Sequence, residues 1–62
     1  MTTTEAFSFL LSDRERFVAC FPRRETANVY ASRFGKGLLT EEVMSRVLIR
    51  AGFKEQTKQW TL

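Results

Sequence analysis

The sequence predicts an all-α protein: a small bundle of three to four short helices that includes a helix-turn-helix-like pair and ends in a short extended tail. Three observations lead there. Apolar residues recur at i, i+3 and i+4 in separate stretches; residue types that cap helices bound those stretches; and no run of alternating β-branched residues supplies paired strands within the chain. With 62 residues, one cysteine (Cys20) and no histidine, residues 1–62 form a single domain with one core.

Met1 to Thr3 is expected to be a frayed end. Thr4 caps a first helix, with Glu5 in its first turn and Phe7, Leu10 and Leu11 on one face. Ser12 with Glu15 has the spacing of a capping box and starts a second helix that buries Phe17, Val18 and Phe21. The stripe 7, 10, 11, 14, 17, 18 and 21 also fits one unbroken helix over 4–21, and Pro22 ends either version.

A further helix is expected from Arg24–Thr26 onward, burying Ala27, Tyr30, Ala31 and Phe34 and ending at Gly35-Lys36-Gly37. Thr40 is the clearest N-cap in the chain, followed by Glu41 and Glu42 in the first turn. Val43, Met44, Val47, Leu48 and Ala51 then follow at helical spacing, and Gly52 closes the helix. Residues 54–62 show no helical stripe. They are expected to be a flexible tail, to lay Trp60 across the helices, or to add an edge strand to another chain. With no Gly, Asn or Pro to turn on, they are not expected to form a hairpin.

The chain carries a net charge of +3, unevenly placed: residues 1–22 hold two basic and three acidic side chains, residues 23–62 eight basic and four acidic. A basic excess in one part of a chain suits phosphates or an acidic protein surface. Seven of the ten cations are arginine, whose planar fork matches phosphate and carboxylate oxygens.

Enzyme chemistry is disfavoured by the residue inventory. There is no His, a single Asp and a single Cys, and neither a GxxxxGK[ST] nor a GxGxxG loop. No metal ligand set and no cofactor motif stand out. No apolar leader or membrane span is evident, so a cytoplasmic chain without membrane contact is expected.

The pair of helices from Ala27 to Gly52 outlines a helix-turn-helix, in which the second helix enters the major groove of duplex DNA. Arg46 then faces a base edge, with Ser45, Arg50 and Lys54, and also Arg23, Arg24 and Lys36, at phosphates. Glu41 and Glu42 in the first turn oppose that reading by repelling the phosphates. Eight aromatics exceed what so small a core is expected to hide. Phe9, Ile49 and Trp60 are therefore candidates to face a protein, either a second copy in a homodimer or a different partner for a small adaptor or inhibitor. The function expected first is DNA binding or transcription regulation as a dimer; the alternative is the adaptor or inhibitor.

Overall fold

The computed structural model describes residues 1–56 and 59–61. In chain order the elements are α1 (Thr3–Ser12), α2 (Arg14–Ala19), α3 (Arg24–Gly35), α4 (Glu41–Arg50), β1 (Lys54–Gln56) and β2 (Gln59–Thr61). A small helical bundle with a two-stranded antiparallel sheet results. Among the described residues no helix is long and apolar enough to cross a membrane.

The first helix starts two residues earlier than expected. Thr2, not Thr4, is its N-cap, because starting there places Glu5 at the third helical position and closes a reciprocal capping box. The Glu5 N–H donates to Thr2 Oγ1 at 3.2 Å and the Thr2 N–H donates to Glu5 Oε1 at 2.8 Å. The Thr2 backbone N–H, and after it the Thr2 hydroxyl, stabilise the Glu5 carboxylate and hold its pKa below the ordinary value. The expected frayed end is also tied down: the Trp60 N–H donates to the Met1 carbonyl at 2.7 Å, and Thr3 is buried.

Residues 4–21 are two helices. Asp13 leaves helical geometry (φ −102°, ψ 84°), donates its N–H to the Leu10 carbonyl and caps α2 by accepting from the Arg16 N–H at 3.4 Å. Ser12, expected to cap, instead donates its hydroxyl back to the Phe9 carbonyl at 2.6 Å inside α1. The bend serves the core. In one straight helix Phe7 and Phe17 would stand about 15 Å apart along the axis, yet their ring centroids lie 5.7 Å apart, edge to face at 83°.

Helices α3 and α4 end alike. After α3 the Leu38 N–H donates to the Arg33 carbonyl and the Gly37 N–H to the Phe34 carbonyl, with Gly37 at φ 72°. After α4 the Phe53 N–H donates to the Leu48 carbonyl and the Gly52 N–H to the Ile49 carbonyl, with Gly52 at φ 92°. Both are Schellman closures, in which a residue with positive φ lets the chain turn back on the last helical carbonyls. Thr40 caps α4 as expected, accepting from the Val43 N–H at 3.3 Å.

The core comprises Ala6, Phe7, Leu10, Phe17, Ala27, Met44, Val47, Leu48, Phe53 and Trp60. Helix α1 is its hub, packing on α4, α2 and β2. Thr3 meets Glu41 at the start of both α1 and α4, and Phe9, in the second half of α1, meets Phe53, just past the end of α4, so these two helices run side by side in the same direction. The rings of Phe34, Phe7, Phe17, Phe21 and Tyr30 form a continuous series with centroids 4.8 to 5.7 Å apart.

Two sequence expectations fail here. Residues after Phe53 do make a hairpin, pairing Lys54 with Thr61, Glu55 with Trp60 and Gln56 with Gln59. β2 is held by its burial pattern, with Trp60 inward between exposed Gln59 and Thr61, and by the Met1 backbone bond on its other edge. Of the tail over 54–62, residues 57, 58 and 62 lie outside the described residues. The second is Trp60, expected to face a partner but buried; of the eight rings four are buried, three are half-buried and Phe9 is exposed.

Candidate nucleic-acid interface

Helix α4 buries Met44, Val47 and Leu48 toward α1 and the core, which turns Glu42, Arg46, Ile49 and Arg50 outward. Arg46 and Arg50 rim a groove of about 290 Å³ between α4 and the corner joining α2 to α3. Its floor and far wall are Val43, Val47, Phe21, Pro22, Thr26 and Tyr30. The groove exists because Pro22 and the extended Arg23 (φ −139°, ψ 148°) separate α2 from α3.

The two carboxylates of the first turn are both occupied. Glu42 accepts from the Arg46 guanidinium at 2.8 Å, an i,i+4 pair whose side chains are 74% and 75% exposed. At that exposure such a pair contributes about 0.3–0.5 kcal/mol, so a competing phosphate can take the guanidinium at little cost. Glu41 is turned the other way, toward α1, where its Oε1 accepts from the Thr3 hydroxyl at 3.5 Å. Thr3 Oγ1 in turn accepts from the buried Trp60 indole N–H at 2.9 Å. This relay, Trp60 to Thr3 to Glu41, ties the hairpin to the first turn of α4.

The seven residues expected at nucleic acid do not form one patch. Arg46, Arg50 and Lys54 lie on α4 and on the strand that continues it. Ser45 is half-buried, and its hydroxyl donates to the Glu41 carbonyl at 2.8 Å, inside the helix. Arg23 and Arg24 sit at the α2–α3 corner, where Arg24 lines a different hollow with Arg14, Glu15, Val18 and Ala19. Lys36 caps the C-terminus of α3 and belongs to a third hollow.

Of the residues expected at a protein partner, Phe9 and Ile49 are exposed, although Phe9 also stands edge-on to Phe53. Trp60 is the correction: it is fully buried, because its indole is the apolar cap of the α1–α4 seam and its N–H finds Thr3. The sequence reading missed Thr3 and Glu41 altogether, since the contact between them spans 38 positions and carries no local signature.

Cys20, beside the groove, donates its thiol to the Arg16 carbonyl at 3.2 Å. Burial pushes its pKa up, against the pull of Arg50 and Arg16, so it remains a thiol at neutral pH. Among the described residues no group of His, Cys, Asp or Glu is placed to hold a metal ion.

No protein family's sequence profile matches the chain, and neither a curated protein nor a solved structure resembles it significantly.

Proposed function

We propose that this is a small DNA-binding protein in which α4 enters the major groove and the β1–β2 hairpin lies beside it as a wing. The observation that carries the reading is the hairpin itself. It continues α4 through Gly52 and is tied to that helix's first turn by the Trp60, Thr3 and Glu41 relay. A helix followed directly by a two-stranded wing is an arrangement suited to a groove and its flanking phosphates. The electrostatics support it: Arg46, Arg50 and Lys54 are exposed, and Glu41, although exposed as well, has its carboxylate directed to the Thr3 hydroxyl on α1. In this arrangement Arg46, near the middle of the outer face of α4, meets a guanine edge, and Arg50 and Lys54 meet phosphates.

The homodimer suggested by the aromatic count loses that argument, because seven of the eight rings are covered within one chain. The adaptor or inhibitor reading keeps Phe9 and Ile49 as exposed apolar side chains but no longer has Trp60.

Titration of a fluorescent duplex at increasing salt tests the proposal. Two phosphate-facing cations, Arg50 and Lys54, give a slope of log K against log[salt] of about −2, and Arg50→Ala lowers its magnitude by about 1. Absence of binding at low salt, or a slope near zero, refutes it.

A further inference from the structure

The two Schellman closures differ in one respect that has no local explanation. In this motif the residue after the glycine commonly packs back onto the helix. After α4 that residue is Phe53, buried with Leu48 in the core. After α3 it is Leu38, which folds back on the Arg33 carbonyl and is 65% exposed. One face of α3 adds a second such residue: Val29 is 45% exposed, although a β-branched side chain gains nothing for an exposed helix position. Val29 and Leu38 line one shallow hollow with Asn28, Ser32, Arg33 and Lys36.

The charged residues that line this hollow are both cations. Arg33 and Lys36 lie in its wall, and the Arg14 guanidinium is fixed at its edge by donating to Asn28 Oδ1 at 2.7 Å. No lining residue is a carboxylate; the carboxylate nearest along the helix is Glu25, on the same face as Val29 one turn before it and outside the lining. A second copy seated here would bring a doubled set of cations into one contact with no lining carboxylate to offset them. A nucleic acid would meet the cations but leave Val29 and Leu38 against water. An acidic amphipathic helix satisfies both halves of the site, its apolar residues covering Val29 and Leu38 and its carboxylates meeting Arg14, Arg33 and Lys36.

We propose that this face of α3 docks an acidic, amphipathic helical segment of a partner protein, separately from the α4 surface. Two synthetic helical peptides probe it, identical in their leucines and differing only in carrying glutamate or lysine on the polar face. Backbone amide shifts of the full-length protein report where each one binds. The glutamate peptide is expected to shift residues 28–38 selectively, and the lysine peptide to bind at least about tenfold more weakly. Val29→Ser with Leu38→Ser weakens the glutamate peptide by at least about tenfold, and Arg33→Glu with Lys36→Glu reverses the preference. Because all four side chains are exposed, far-UV circular dichroism of both variants stays as in the parent.

The proposal is overturned if the two peptides bind alike, if the shifts map to α4 or the hairpin, or if either double variant binds as the parent does. Shifts at residues 28–38 that grow with protein concentration alone assign the face to a second copy and overturn it too. Duplex affinity unaltered by Val29→Ser with Leu38→Ser shows the two surfaces to be independent; a large loss of duplex affinity places the nucleic acid here and refutes the peptide site.

Discussion

Replacing Thr3 by valine keeps the shape of the side chain and removes the hydroxyl that joins Trp60 to Glu41. The indole N–H of Trp60 is buried and donates only to Thr3 Oγ1, at 2.9 Å, so in Thr3→Val it has no partner. Leaving a buried donor unpaired costs about 1–3 kcal/mol. For a domain of this size each kcal/mol lowers Tm by about 4–8 °C. Urea unfolding followed by tryptophan fluorescence measures the loss directly, because Trp60 is the only tryptophan and sits in the core. The decisive comparison, followed by circular dichroism, is with the double variant Thr3→Val with Trp60→Phe. Trp60→Phe alone leaves a cavity and takes from Thr3 Oγ1 the donor it accepts from, but together the two changes leave no unpaired indole donor. The double variant is therefore expected to be more stable than the sum of the single losses by at least about 0.5 kcal/mol. Strict additivity, or a Thr3→Val protein as stable as the parent, would refute the relay as the tie between hairpin and helix.

Three further outcomes follow from local geometry. Gly52→Ala is expected to destabilise by about 1–2 kcal/mol, through its φ of 92° alone, since no atom stands in the way of the added methyl. Gly35→Ala has the opposite sign, because Gly35 is the last residue of α3 with open space around it, and a gain of about 0.4–1 kcal/mol is expected. Thermal unfolding of the pair reads both, and equal effects would contradict the assigned closures. Glu5 supplies the pH dependence. Its folded pKa lies below its unfolded one, so its contribution is present above the unfolded pKa and is lost as pH falls through the folded value. Stability from the capping box is thus expected to fall below the usual carboxylate range, and Glu5→Gln to flatten that part of the stability profile; an unchanged profile would mean that the Thr2–Glu5 box does not persist in solution.

Sequence periodicity and capping chemistry were enough to place α3 and α4, because those signals are local. Thr40 finds its acceptor role three residues away, Gly37 and Gly52 supply the positive φ that both closures need, and Val43, Met44, Val47 and Leu48 recur on one side of a 3.6-residue helix. The outward position of Arg46, Arg50 and Ile49 follows from the same periodicity. Where competing local signals were nearly equal, the tertiary contacts chose. Thr2 prevailed over Thr4 because Glu5 then closes a box and Thr3 reaches Trp60, and Asp13 broke the long stripe because only a bent chain brings Phe17 against Phe7.

By itself, then, the sequence determined a helical chain with one small core, a basic later part and none of the usual catalytic residue sets, all properties of composition and short-range spacing. Only the tertiary structure decided that residues 54–56 and 59–61 pair as a hairpin, that Trp60 is core, and that Val29 and Leu38 share an uncovered hollow. Each of these depends on contacts between distant positions. Trp60 reaches back 57 residues to Thr3, and burying it favours the register that turns its side chain inward between Gln59 and Thr61.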